Sequence, residues 1–181
     1  MVVSRPAPRR HVFVDESKQG RYLLVASVHL STELAVARKA LRELTLPGQR
    51  RIHMKKESNA RRRQIAAALC ALGVEATVYE ASRSHGHELA AREACLRGLI
   101  GDLPLSETLM VLERDDSCLD WDRQTLYQLV RAAERPDLSY QHHRAADEQL
   151  LAIPDAIAWC WAKGGDWRRR VEPMVVAVRP V

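Results

Sequence analysis

One helical segment near the carboxyl end of the chain constrains the fold more than any other feature. Residues 151–162 have helical spacing, and from 153 onward every residue except Asp155 is apolar or proline. Pro154 fits only in the first turn of a helix, where its missing backbone donor is not needed. A helix with almost no polar face has to be enclosed on most sides by other elements. The segment therefore predicts a core with more than one layer.

Apolar strand-like segments alternate with helical ones along the rest of the chain. Residues 12–14 are apolar on both faces, as in a central strand that is covered on each side. The remaining strands are predicted at 21–30 (antiparallel to the first), 51–55, 74–81, 109–112 and, as an edge strand, 138–143. The remaining helices are predicted at about 33–44, 59–72, 87–103 and 123–134. This order indicates an α/β fold with a mixed sheet and helices on both faces.

Size and charge narrow the class of protein. A chain of 181 residues, 46% of them hydrophobic, is long enough for one domain with its own core. We expect residues 1–10, which are rich in arginine and proline, to form a disordered basic tail, and residues 11–181 to form the domain. The net charge of +5 favours an anionic partner such as nucleic acid.

The chain carries no signal of membrane or secretory targeting. Its apolar runs are shorter than the ~20 residues that span a bilayer, and its first residues do not resemble a signal peptide. We therefore expect a cytoplasmic protein with no membrane partner. The apolar run 159–161, Trp-Cys-Trp, fits either the interior of the domain or contact with a second copy, which leaves a homo-oligomer open.

Three acids stand where a carboxylate is costly. Asp15 follows the apolar strand at 12–14, Glu113 follows the one at 109–112, and Asp155 lies in the first turn of the apolar helix. An unpartnered carboxylate in apolar surroundings is unstable in its charged form. If the two strands are parallel neighbours, Asp15 and Glu113 meet at the carboxyl edge of the sheet, where such folds bind ligands. Asp155 would complete a site for Mg²⁺ or Mn²⁺.

Each acid also has an ordinary interpretation. Asp15 would cap a turn, Glu113 would be a surface acid, and Asp155 would favour the start of a helix. The last of these is the weakest, because apolar residues share the side of the helix that carries Asp155. Other acids that would add to the site are Glu16, Asp116 and Glu148.

The segments around these acids resemble the DUF3800 family of bacterial domains. The motifs that carry the resemblance are Phe13-Val14-Asp15-Glu16-Ser17, then Tyr22-Leu23-Leu24-Val25-Ala26, Met110-Val111-Leu112-Glu113, and Ile153-Pro154-Asp155-Ala156-Ile157-Ala158. The last of them is similar to the family's Ala-Asp-Leu-Ile-Ala-like helix start. The resemblance spans most of the chain and implies an RNase H-like fold and a metal-dependent nuclease, with Asp15, Glu113 and Asp155 at the acidic positions.

The chain departs from the family pattern at three places. Lys18 stands where members usually carry glycine, and Pro154 replaces the small residue before the last acid. Glu113 stands where the middle acid is usually aspartate, and its extra methylene would require a shifted backbone to reach the same ion. These departures concern catalysis and leave the fold expectation unchanged.

Two basic segments are predicted to bind nucleic acid. Lysine and arginine neutralise phosphates, and tryptophan stacks on bases. The residues concerned are Lys55, Lys56, Arg61, Arg62, Trp167, Arg168 and Arg169. The two lysines follow the predicted strand at 51–55 and would lie near the acids. The alternative for the arginines is a solvated helix face and a charged tail.

The sequence therefore predicts a metal-dependent nuclease that hydrolyses phosphodiester bonds in RNA or DNA. Asp15 and Asp155 would be the principal ligands of Mg²⁺ or Mn²⁺, with Glu113 the third, and water would be the nucleophile. The alternative is a catalytically degenerate RNase H-like module that binds nucleic acid or a partner protein, as in a defence or toxin–antitoxin system. A hydrolase of small phosphates ranks last, because no motif for such a pocket is present.

Overall fold

The computed structural model describes residues 9–181, which form a mixed sheet of six strands covered by helices. The strands are β1 Arg10–Ser17, β2 Leu23–Leu30, β3 Glu75–Glu80, β4 Thr108–Glu113, β5 Leu138–His143 and β6 Val175–Pro180. The helices are α1 Leu34–Leu44, α2 Asn59–Ala71, α3 Glu88–Asp102, α4 Leu119–Ala132, α5 Ala152–Lys163 and α6 Gly165–Val171.

The strand order is β5-β4-β1-β2-β3-β6, with β1 in an interior position. β1 pairs antiparallel with β2 and parallel with β4. β5 runs parallel to β4 at one edge of the sheet, and β6 runs parallel to β3 at the other. The antiparallel β1–β2 pair and the edge position of β5 confirm two expectations from the sequence.

The two faces of the sheet bury two separate cores. Successive side chains of a strand point to opposite faces, so Phe13 packs with α1, α2 and α5, whereas Val12 and Val14 pack with α3 and α4. All three residues are at most 1% exposed. The expected arrangement, a mixed sheet with helices on both faces, is confirmed.

Helix α5 is enclosed as the sequence predicts. It lies against β1 and β2, and Ile153, Ala156 and Ile157 on it have no exposed surface. Trp159 packs edge-to-face on Trp167 of α6, with ring centroids 5.3 Å apart. The tryptophan-rich run of α5 thus packs within the domain.

Residues 51–55 do not form the predicted strand. The chain bends there and makes a short 3₁₀ turn, Met54–Lys56. The reason is that the amide of Met54 donates to the carboxylate of Asp155 rather than to a neighbouring strand. A second difference is small: Ser58, not Asn59, caps α2 by accepting a hydrogen bond from the Arg61 amide.

The two ends of the domain also differ from the expectation. From the sequence, α5 is expected to be the last element, but the chain continues through α6 and adds β6 to the sheet. Arg10, assigned to the basic tail, is the first residue of β1, and Arg9 lies 3.5 Å from Glu107 in an ion pair. The rest of that tail lies outside the described residues. Within residues 9–181, no helix combines the length and hydrophobicity needed to cross a membrane.

Candidate metal and nucleic-acid site

The parallel pairing of β1 and β4 brings two of the three predicted acids to one edge of the sheet. Val14 lies opposite Leu112 in this pair. Asp15 and Glu113 are the next residues on their strands, so they lie side by side at the carboxyl end of the β1–β4 pair. The condition on which the sequence argument depended, that these strands are parallel neighbours, is met.

Asp155 reaches the same edge from the first turn of α5. Its Oδ2 accepts a hydrogen bond of 2.9 Å from the backbone amide of Met54. Arg62 holds the 3₁₀ turn Met54–Lys56 in place, because its guanidinium donates to the carbonyls of Met54 at 2.8 Å and Lys55 at 3.0 Å. The same guanidinium lies 4.3 Å from the ring centroid of Trp159. The position of Asp155 is therefore fixed by contacts from two elements.

The three acids line one cleft of about 370 Å³, which we call the acidic cleft. Its lining residues are Asp15, Glu16, Lys18, Arg51, His53, Glu113, Arg114, Asp115, Asp116 and Asp155. The carboxylates share this cleft without forming a finished metal site: between residues 9 and 181, no three or more histidine, cysteine or acidic side chains are arranged to hold a metal ion.

Asp15 is the least compensated charge in the cleft. It is 8% exposed, and its carboxylate accepts a hydrogen bond of 2.7 Å from the amide of Glu16. In the described part of the chain, no cationic side chain lies within ion-pair distance of it. Burial raises the pKa of Asp15 well above its usual range, and the nearby charges of Glu113 and Asp155 raise it further.

The other two acids have partners. Arg51 Nη1 lies 2.8 Å from Oε1 of Glu113, and both side chains are about three-tenths exposed. Nδ1 of His53 lies 3.5 Å from Oδ1 of Asp155 and is buried without a hydrogen-bond partner. Arg51 and His53 belong to the basic segment that precedes α2, and the sequence did not place them beside the acids, because only the tertiary fold brings them here.

The donor chemistry of the cleft fits a hard divalent cation. Carboxylate oxygens are the ligands that Mg²⁺ and Mn²⁺ prefer, and a buried carboxylate without a cationic partner is stabilised by a nearby positive charge. Asp15 and Asp155 would hold the cation. Glu113 could join them through Oε2, or through Oε1 by exchanging its contact with Arg51.

The three additional acids are dispersed. Glu16 lines the cleft, but its carboxylate is engaged by Arg92 from the other face of the sheet and lies 3.5 Å from Lys18. Asp116 lines the cleft but is more than half exposed and contacts Arg114 and Arg144. Glu148 does not line the cleft. Its carboxylate accepts hydrogen bonds from Arg38 of α1 and from the amide of Leu150, and the second of these caps a short 3₁₀ turn.

The predicted nucleic-acid-binding arginines have partners inside the domain. Arg61 donates to the carbonyl of Leu44 and to Gln64, and Arg62 braces the Met54 turn. Arg168 lies over the ring of Trp161 and 3.2 Å from Glu80.

Four further residues of the basic segments complete the set. Arg169 pairs with Asp166 at 3.7 Å, and Trp167 packs against Trp159. Lys55 and Lys56, by contrast, are exposed and make no contact with an acid in the part of the chain that the structure describes. Nucleic-acid binding by these seven residues stays a prediction.

A buried charged network lies behind the site on the opposite face of the sheet. Arg92 of α3 forms two bonds of 2.6 Å with Asp122 of α4 and contacts Glu16 and the hydroxyl of Tyr22. Nε2 of His142, on β5, lies 3.1 Å from Asp122. Burial alone would raise the pKa of Asp122, but the bonds from Arg92 and His142 lower it below its usual range. Through Glu16 the network fixes the end of β1, next to Asp15.

Comparisons with known proteins define the fold and nothing finer. No family model and no curated protein matches the chain. Its structure is similar to that of a chain in the solved PCNA:RNase HII complex from Archaeoglobus fulgidus, with a TM-score of 0.56 and 16% sequence identity. The match covers 91% of this chain and 75% of that one. The protein thus has an RNase H-like α/β fold.

Proposed function

We propose that the protein is a divalent-metal-dependent nuclease that cleaves phosphodiester bonds in RNA or DNA at the acidic cleft. The observation that carries this proposal is the buried and uncompensated charge of Asp15 at the carboxyl edge of an RNase H-like sheet. Asp155 stands beside it on a separate, braced element. A fold that maintains a costly carboxylate at its ligand-binding edge is typical of a catalytic site.

The position of each acid in the cleft suggests its role. Asp15 and Asp155 would hold Mg²⁺ or Mn²⁺ on the floor of the cleft, and Glu113 would be the third ligand at its rim. When bound, the cation would supply Lewis-acid activation of water and would neutralise charge on the phosphodiester. Met54 and Arg62 would orient Asp155, and the Arg92 network would orient the end of β1. The proposed membership of the DUF3800-like family implies the same three acids.

A nuclease assay tests the proposal. Wild-type protein with Mn²⁺ is expected to cleave single-stranded RNA or DNA, and Asp15→Asn is expected to lower the rate by at least about a hundredfold, since even the loss of an outer-shell partner can cost that much. Asp116→Asn is the matched control, because Asp116 lines the same cleft but is exposed and paired with arginines. Equal activity of wild type and Asp15→Asn would refute the assignment.

One observation favours a second candidate, the degenerate module that binds nucleic acid or a partner protein without cleaving it. Arg51 already neutralises Glu113, the residue that departs from the family pattern. If this ion pair is permanent, Arg51 offsets the charge that Glu113 would contribute to a bound cation. Calorimetric titration with Mn²⁺ separates the candidates: the nuclease requires binding that disappears in Asp155→Asn, whereas the degenerate module shows none.

A further inference from the structure

A second concavity lies beside the acidic cleft and has the opposite charge. It has a volume of about 340 Å³ and is called here the basic cavity. Its lining residues are Gln49, Arg50, Arg51, His53, Lys56 and Ala146. Arg51 and His53 line both concavities, so the two share a wall. No carboxylate is among the lining residues.

The cations of this cavity differ from most arginines of the domain. Arg50 and Lys56 are exposed, and neither forms an ion pair or a side-chain hydrogen bond within residues 9–181. Glu57, an acid close to them in sequence, is buried, and its carboxylate is occupied by Gln49 and by Arg61 at 3.6 Å. Arg51 pairs with Glu113, but the charges of Arg50 and Lys56 are uncompensated, and such charges attract an anion into a concave site.

We infer that the basic cavity binds a backbone phosphate of a single nucleic-acid strand. This inference rests on the proposed function and adds a second contact point for the same substrate. A strand that places one phosphodiester in the acidic cleft passes the shared wall of Arg51 and His53. Its neighbouring phosphate then lies within reach of Arg50 and Lys56, whose donors form strong charge-assisted hydrogen bonds with phosphate oxygens.

The cavity also assigns different roles to two lysines that the sequence alone could not distinguish. Lys55 and Lys56 occupy the same 3₁₀ turn, carry the same charge and are both exposed. Only Lys56 lines the cavity. A specific phosphate site requires Lys56 and not Lys55, whereas a diffuse attraction of the polyanion to a basic surface treats both alike. The pair is thus an internal control of matched sequence context.

The test is binding of a short fluorescein-labelled oligothymidylate, measured by fluorescence anisotropy in EDTA so that cleavage plays no part. Lys56→Ala and Arg50→Ala are each expected to weaken binding roughly tenfold or more, the loss expected for one charged hydrogen bond. Lys55→Ala is expected to change it by no more than about threefold. The slope of log K against log salt should fall by about one for Lys56→Ala.

Three outcomes decide the inference. Equal losses for Lys55→Ala and Lys56→Ala, or no loss for either, would overturn it. Calorimetric titration with inorganic phosphate is the second arm: binding of phosphate that depends on Lys56, together with oligonucleotide binding that does not, would make the cavity a site for small phosphates and would also overturn it. If the wild type binds the oligonucleotide in a Lys56-dependent way but does not cleave nucleic acid, only the proposed nuclease activity is refuted and the phosphate site stands.

Discussion

The buried network around Arg92 supports the most exacting prediction about stability. The side chains of Arg92 and Asp122 are 3% and 1% exposed and share two hydrogen bonds of 2.6 Å. Arg92→Met keeps a long unbranched side chain but leaves the charge of Asp122 buried with only His142 beside it. Breaking a buried ion pair in this way costs about 3–5 kcal/mol. For a domain of this size, that corresponds to a decrease in melting temperature of roughly 6–20 °C.

Thermal and urea denaturation of matched variants would measure this cost. Arg97→Met on the same helix removes an arginine whose pair with Glu93 is exposed, so it is expected to cost less than about 1 kcal/mol. The double variant Arg92→Met, Asp122→Leu is expected to recover much of the loss, because the fully buried carboxylate is gone and Glu16 keeps Lys18 at 3.5 Å. A cost for Arg92→Met as small as that for Arg97→Met would refute the reasoning.

The pH dependence gives an independent readout of the same network. In the wild type the pKa of Asp122 is depressed, so its contribution to stability is present above its unfolded pKa and is lost as the pH falls through the folded pKa. Without Arg92, burial raises that pKa, and protonation then relieves the buried charge. The stability deficit of Arg92→Met should therefore shrink between neutral pH and about pH 4. A constant deficit would contradict this explanation.

Three further predictions concern the cleft and the core. Asp15→Asn should raise the melting temperature at neutral pH, because the raised pKa of Asp15 means that its ionisation destabilises the fold as the pH rises; a lower melting temperature than wild type would contradict this. Arg51→Met should tighten Mn²⁺ binding in calorimetry, since it frees Glu113; weaker binding would assign Arg51 a supporting role. Burial lowers the pKa of His29 to about 4, so protonation of the unfolded chain destabilises the fold as the pH falls from about 6.5 to 4. In urea denaturation, the free energy of unfolding of the wild type should decrease by up to about 3 kcal/mol over this range, and that of His29→Gln should decrease less. Equal decreases would refute this prediction.

The parts of the fold that follow a simple period were predictable from the sequence. The strand at 12–14 is apolar on both faces and the helix around Asp155 is apolar nearly all round. Both elements therefore have to be buried in the interior, because neither has a face suited to water. The adjacency of Asp15 and Glu113 required only one further condition, that their strands run parallel. This condition depends on the whole topology, so the sequence could state it but not establish it.

The remaining features depend on contacts between distant residues. The segment at 51–55 reads as a strand by local pattern, but the carboxylate of Asp155, far along the chain, takes the amide of Met54 and turns the backbone. Arg92 lies among alanines and a glutamate, so its sequence gives no sign that it is buried. Strand β6 was missed because an apolar stretch at the edge of a sheet is short, and only its pairing with β3 identifies it.

Diffraction from a crystal soaked in Mn²⁺ and measured for anomalous signal tests the central claim most directly. An ion in contact with the carboxylates of Asp15 and Asp155, with Glu113 turned from Arg51 toward it, is the predicted result. Full occupancy of Mn²⁺ elsewhere, with the Arg51–Glu113 pair intact and no ion beside Asp15, would contradict the account.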